Sequence, residues 1–261
     1  MPSLKLGAQL YTVREHTQNE TDFAKTMEKI ADIGYRYVQV SGIGGDISPA
    51  FVAKVADDNG LWVILTHTSP KRILEETEKV IEEHDIFDCD GIGVGGMFGH
   101  ERTEEGFLRF AQDFAPAIEK IRQSGKLFLY HNHRFEFERF SGRTGMDIML
   151  ENTDEDAFML TFDTYWAQAG GIDPAKFIKT HSDRIFATHL KDMTVIADKI
   201  AMTEVCTGNM NFNRILKVSK QSGVFWHFVE QDETFIDCFE SMKISFDNLM
   251  ATGRFFKKQR R

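Results

Sequence analysis

The chain has 261 residues, 42% of them hydrophobic and 27% charged, with 23 phenylalanines, which is enough for one large core in a single domain. Its formal charge of −9 makes a nucleic-acid backbone a poor partner, since phosphate binding rests on clustered Lys and Arg. No apolar run approaches the ~20 residues of a membrane span, and Met1 to Gln9 lacks the sections of a signal peptide, so a cytoplasmic location is expected.

Eight short apolar runs punctuate the chain at near-even intervals: Lys5 to Leu10, Tyr35 to Val40, Leu61 to Thr66, Gly91 to Val94, Leu127 to Tyr130, Phe158 to Phe162, Ile185 to Thr188 and Val224 to Val229. Between them lie stretches with helical spacing, such as Phe23, Met27, Ile30 and Ile33, or Phe110, Phe114, Ile118 and Ile121. Gly34, Gly60, Gly125 and Gly223 each stand just before a strand, where a helix C-terminus favours a residue tolerant of positive φ. Strand and helix repeated eight times demand a parallel sheet, because every strand must be returned to the same end by a crossover. Typical (β/α)8 barrels run to roughly 250 residues. The predicted fold is therefore one (β/α)8 TIM barrel over residues 1–261.

The glycines Gly91, Gly93, Gly95 and Gly96 lack the spacing of a dinucleotide fingerprint and are expected to give room at a strand end. Cys89, Cys206 and Cys238 are odd in number and scattered, which speaks against a disulfide framework and a thiolate metal site; they are expected as buried thiols. Arg139 to Asp147 is either a loop closing over a site or, more simply, a solvent-facing turn. The basic tail Arg254 to Arg261 is expected as a solvated helix end.

In barrels of this kind the chemistry gathers where the strands end. Four of the runs lead into a residue fit to bind a metal or move a proton: Glu136, Asp163, His189 and Glu230. Taken singly, an Asp before a helix is often an N-cap, and a His or Glu at a strand end is often just hydrogen-bonded. Asp163, His189 and Glu230 on three successive strands are better read together, as a ligand set suited to Mn, Mg, Co or Zn.

Strand five runs into Tyr130, His131, Asn132, His133, Arg134, Phe135 and Glu136. If it stays extended, Tyr130, Asn132, Arg134 and Glu136 share one face, and His131, His133 and Phe135 the other. Glu136 is then the preferred fourth ligand, and His131 and His133 serve as substrate contacts, acid–base groups or supporting donors, or one of them packs under the loop. Tyr11, Tyr130, Phe135 and Trp166 could cover an apolar face of a ligand, or belong to the core. Gln9 and His67 are further pocket candidates. Lys191 could assist an anionic or hydroxyl oxygen of a ligand, or form a surface salt bridge with Asp192 or another carboxylate.

These residues carry a resemblance. GAQLYTVRE from Gly7 to Glu15, YHNH with FEF from Tyr130 to Phe137, DTYW from Asp163 to Trp166, HLKD from His189 to Asp192 and EQD from Glu230 to Asp232 occur in an order that resembles the sugar phosphate isomerase/epimerase family of xylose-isomerase-like barrels, over nearly the whole chain. The resemblance implies one divalent metal at the ends of strands five to eight and a sugar or keto-sugar substrate. Asp163, His189 and Glu230 fall on the family's later ligand positions; its epimerases carry a glutamate where this chain is matched to Tyr130, and Glu136 is the substitute on the same nominal face.

The DTYWAQAG stretch also resembles type IV AP endonucleases. Trp166 stands where their zinc site has a histidine, however, and Thr203 to Phe212 contains no histidine, so DNA repair is not expected.

The implied reaction removes a proton beside a carbonyl to give an enediolate. Glu230 is the first acid–base group, and Glu136, His131 or His133 return the proton. Return to the opposite face gives an epimer, to the neighbouring carbon an isomer, and loss of a β-leaving group gives a dehydratase or lyase. A barrel that binds sugar without turnover is the alternative of a different class. The sequence leaves the oligomeric state open, homo-oligomers included.

Overall fold

A computed structural model describes residues 3–255. Its centre is a closed barrel of eight parallel strands: Lys5–Gln9, Tyr37–Val40, Trp62–Thr66, Gly91–Val94, Leu127–His131, Phe158–Asp163, Ile185–Leu190 and Trp226–Val229. The first strand pairs with both the second and the last, with Ala8 opposite Val38 on one side and Val229 on the other, so the sheet has no free edge. Each expected run overlaps its strand with ends that differ by no more than two residues, and the fifth, sixth and seventh strands run on past the expected end, to His131, Asp163 and Leu190.

Strand alternation sorts the side chains into two cores. Tyr37, Leu65, Leu129, Ala187 and Phe228 meet inside the barrel, above Trp62, Leu127, Met159 and Trp226. Their neighbours along the strands, such as Val38, Phe128, Tyr130 and Leu160, join the larger core between barrel and helices. The interior tolerates Phe228 because Gly7 faces it: a Cβ on Gly7 would lie 2.4 Å from the Phe228 ring.

The outer helices follow their apolar spacing. Glu104–Gln123 starts at Thr103, whose hydroxyl accepts from the Gly106 N–H at 3.1 Å, and buries Phe107, Phe110, Phe114, Ile118 and Ile121 along one face. Gly60 (φ +62) and Gly125 (φ +82) turn the chain from helix into strand in the left-handed region, as expected.

One local feature departs from the sequence reading, and a second bears out the simpler of its two alternatives. A hairpin, Asp192–Ile196 paired antiparallel with Lys199–Thr203, follows the seventh strand, and its turn places Ala197 and Asp198 at positive φ. Arg139–Phe140 pairs with Arg143–Thr144 around the Ser141–Gly142 turn, so that segment is a solvent-facing hairpin and then a helix, Gly145–Glu151, capped by Thr144 and Asp147 in a capping box.

Of the cysteines only Cys89 is buried; Cys206 is exposed and Cys238 partly so, all of them free thiols. No helix among the described residues is long and apolar enough to cross a membrane. The basic tail beyond Phe255 lies outside the described residues.

Candidate metal centre

Above the apolar layer, six of the eight strands present a polar residue inward. Gln9, Gln39, His131, Asp163, His189 and Glu230 are buried there together. His131, Asp163, His189 and Glu230 each offer one ligand atom, and these atoms lie within 4.8 Å of one another. His131 Nε2 is 3.2 Å from Asp163 Oδ2, and His189 Nδ1 is 3.8 Å from that oxygen and 2.7 Å from Glu230 Oε2.

The strands that deliver these groups also orient them. Gln9 Nε2 donates to Glu230 Oε1 at 2.7 Å, while Gln9 Oε1 accepts from the Tyr11 N–H. Gln39 Oε1 lies 2.6 Å from His189 Nε2, so a proton on that nitrogen leaves Nδ1 bare toward the cluster. Asn132 accepts from the Asp163 N–H at 2.8 Å, tying the fifth strand's end to the sixth. Asp163 Oδ1 caps the helix Thr164–Ala169 through the Trp166 N–H at 2.8 Å, so this residue is both an N-cap and a member of the group, through its other oxygen.

Lys191 enters the same space. It is fully buried, with Nζ 3.0 Å from Asp163 Oδ2, 2.8 Å from Glu230 Oε2 and 2.9 Å from Asp232 Oδ2. Burial pushes both inner carboxyls up, but the Lys191 ammonium and the imidazoles outweigh it, holding Asp163 at about 2 and Glu230 well below the usual carboxylate range. Burial alone would lower Lys191; its three carboxylates carry it well above the ordinary lysine value instead. Burial, reinforced by neighbouring imidazoles, pushes His67 and His131 down.

The donors fit a divalent cation. His189 Nδ1 is buried without a hydrogen-bond partner, 2.7 Å from Glu230 Oε2, an oxygen that is also ion-paired with Lys191 at 2.8 Å. A buried imidazole nitrogen without a donor, set beside two carboxylates and a second imidazole, is a donor set that a cation would satisfy.

The structure moves several expected residues. His131, not Glu136, completes the group, because His131 continues the inward alternation of Leu127 and Leu129. Glu136 sits on a 3-10 turn, Phe135–Phe137, buried and occupied: Tyr130 Oη donates to its Oε1 and the His133 N–H to its Oε2, both at 2.7 Å. Tyr130 faces the helices, 5.3 Å from Phe110 and 5.8 Å from Phe158 between ring centroids, and not the substrate side. Gln9 is buried against Glu230 rather than lining a pocket. Lys191 makes no surface pair with Asp192, whose carboxylate instead accepts the N–H groups of Met193, Cys206, Gly208 and Met210.

His67, His131, His133, Tyr11, Glu230 and Asp232 help line a cleft of about 280 Å³ above the group. Trp166 stands beside it, 5.6 Å from the His133 ring and 5.7 Å from Lys191 Nζ. Gly93 and Gly95 make the room: a Cβ on Gly93 would lie 2.3 Å from the Thr66 carbonyl, and one on Gly95 3.3 Å from His67 Nδ1. Larger grooves of about 670 and 540 Å³ flank this cleft, but the four-residue group borders neither.

A barrel with this mouth is a xylose isomerase-like architecture, and the model of the xylose isomerase-like TIM barrel family matches residues 27–230. The chain belongs to that family. Two structures described as sugar phosphate isomerase/epimerase from Parabacteroides distasonis ATCC 8503 superpose with TM-scores of 0.82 and 0.80 at 24% and 25% identity, covering 98% and 95% of this chain and 96% and 98% of theirs. An L-ribulose 3-epimerase gives 0.72 at 15% identity, covering 95% of this chain and 94% of its own. A probable 3-DHS dehydratase from Bacillus anthracis gives 0.71 at 12%, covering 95% and 99%; at such identities the likeness is one of fold. No curated protein matches the sequence significantly.

Proposed function

We propose that this chain is a divalent-metal-dependent sugar isomerase or epimerase that removes a proton beside a carbonyl and passes through an enediolate. The observation that carries the proposal is the buried group His131, Asp163, His189 and Glu230 beneath an open cleft. Those four residues would hold the metal. Two imidazoles among four donors favour Mn, Co or Zn over Mg, which prefers an all-oxygen shell. When bound, such an ion supplies Lewis acidity that makes a C–H beside a carbonyl removable.

The chain's own groups then divide the proton work. Glu230 is ionised, as a base must be, and Gln9 fixes one of its oxygens so that the other lies between His189 and Lys191. Its low proton affinity suits a substrate proton that is already acidified. His133 borders the same cleft, its Nδ1 without a hydrogen bond and 3.9 Å from Glu136 Oε1, and is the group to return a proton from another side. Return to the same carbon gives epimerisation, and to the neighbouring carbon isomerisation. Expulsion of a β-leaving group from the enediolate gives elimination, the reaction class of the dehydratase among the fold relatives. The substrate is a small sugar or keto-sugar, and the setting is the cytoplasm.

Incubation with a panel of keto-sugars and Mn in D2O tests the proposal. Deuterium entering a carbon beside the carbonyl supports it, and product analysis separates the three outcomes. A panel without exchange, on protein shown to carry metal, removes the proton-abstraction step.

A further inference from the structure

We infer that Lys191 is an exchangeable cation of the metal centre: its ammonium takes the two carboxylate oxygens that a divalent ion would take, and loading requires it to withdraw onto Asp232. The inference deepens the metal-dependent reading above and rests on it for the identity of the ligand atoms.

Each inner carboxylate has one oxygen already assigned. Asp163 Oδ1 accepts the Trp166 N–H at 2.8 Å, and Glu230 Oε1 accepts from Gln9 Nε2 at 2.7 Å. The other oxygen of each stands among the imidazoles: Asp163 Oδ2 lies 3.2 Å from His131 Nε2, and Glu230 Oε2 lies 2.7 Å from His189 Nδ1. Those are the two oxygens that an ion shared with the imidazoles would bind. Lys191 Nζ holds both, at 3.0 and 2.8 Å.

An ion and the ammonium oppose each other at these positions. A metal–oxygen bond is about 2.1 Å, so an ion on Glu230 Oε2 would lie within about 5 Å of an ammonium 2.8 Å from the same oxygen. Lys191, Asp163 and His189 are fully buried, and water there does little to screen one positive charge from another.

Asp232 supplies the place to withdraw to. It is the third carboxylate on Lys191, at 2.9 Å, and it stands outside the four-residue group. Its side chain is 28% exposed and borders the cleft, so the lysine can keep this partner while leaving the other two. The backbone beside the lysine is fixed, because the Asp192 carboxylate accepts the N–H groups of Met193, Cys206, Gly208 and Met210. Only the side chain has to move. Lysine suits that motion, with a compact charge on a flexible four-carbon stem, where a guanidinium would grip a carboxylate in a planar, two-pronged geometry.

Chelator-buffered titrations with Zn and Mn test the exchange on metal-free samples of the parent, Lys191→Met, Asp232→Asn and the double variant. Lys191→Met is expected to bind Zn more tightly than the parent, by about tenfold or more. Asp232→Asn is expected to weaken binding in the parent and to leave Lys191→Met unchanged, because Asp232 acts through the lysine. Equal or weaker binding by Lys191→Met overturns the inference. So does an Asp232→Asn effect of the same size in both backgrounds, which is simple charge attraction. If the parent binds no ion and Lys191→Met binds one, the exchange stands and the metal-dependent reading of the parent falls. If neither binds, both fall. Should Lys191→Met not fold without metal, Lys191→Gln, which keeps an N–H donor without the charge, gives the same comparison.

Discussion

Gln9 donates its side-chain N–H to Glu230 Oε1 at 2.7 Å, so the first strand of the barrel orients the carboxylate carried at the end of the last. The same hydrogen bond closes the barrel chemically at the level where its backbone pairing ends. Groups that hold a metal-binding side chain in place typically change affinity by about 10–100-fold when removed. Gln9→Leu is therefore expected to weaken metal binding by that factor, read by calorimetric titration of the metal-free protein. Unchanged affinity would mean that Glu230 needs no such support.

Lys191 answers three buried or half-buried carboxylates at once. Removing one member of a buried ion cluster leaves uncompensated charge, at a cost of about 3–5 kcal/mol. Lys191→Met should lose stability of that order in EDTA, measured by denaturant unfolding, and recover part of it on adding Zn or Mn. A variant as stable as the parent in EDTA would show that the ammonium is not the counter-charge.

Tyr130 and Glu136 belong to the support of the loop and not to the metal set. Tyr130→Phe strips the donor from Glu136 Oε1, and leaving a buried acceptor unpaired costs about 1–3 kcal/mol. Stability should fall by that amount with metal affinity unchanged. Loss of metal in this variant would return Glu136 to the ligand set.

Burial pushes His84 down to about 4, on the helix Thr77–Ile86, where its ring meets the Val80 carbonyl at 2.7 Å and the Thr66 hydroxyl at 2.8 Å. The unfolded imidazole titrates near 6.5. Below that value the unfolded chain binds the proton that the folded one refuses, so stability falls as pH drops from about 6.5 toward 4, by roughly 3 kcal/mol for this one group. His227, pushed down to about 3, acts in the same direction. Denaturant unfolding as a function of pH should show a shallower slope in His84→Gln over this window. An identical slope would assign the acid sensitivity to other groups.

How much of this could be read from the chain follows from periodicity. Eight apolar runs separated by amphipathic stretches admit little besides a closed parallel barrel, and Asp163, His189 and Glu230 stand directly at or beyond strand ends, where position determines direction. Alternation puts His131 on the face opposite Tyr130, and the choice between the two faces turns on Leu127 and Leu129, which point into the barrel, while Tyr130 packs against the helices. The strand stops at His131 and the 3-10 turn Phe135–Phe137 breaks the parity. Counting from Leu127 and Leu129 would have placed His131 inward. Gln39 and Asn132 gave no signal in the sequence, since an amide at a strand end looks the same whether it orients a ligand or meets water. The hairpin Asp192–Thr203 was hidden for another reason. Its order depends on Asp192 gathering the N–H groups of Cys206, Gly208 and Met210, contacts that no local pattern announces.

Titration of the metal-free protein with Zn and Mn, with bound metal counted by elemental analysis, bears most directly on the metal centre. One ion per chain is expected, with affinity reduced at least about 100-fold in His131→Ala, Asp163→Ala and Glu230→Ala and retained in Glu136→Gln. Failure of the unaltered protein to bind any divalent ion, or binding that survives all three alanine substitutions, would contradict a metal held by this group.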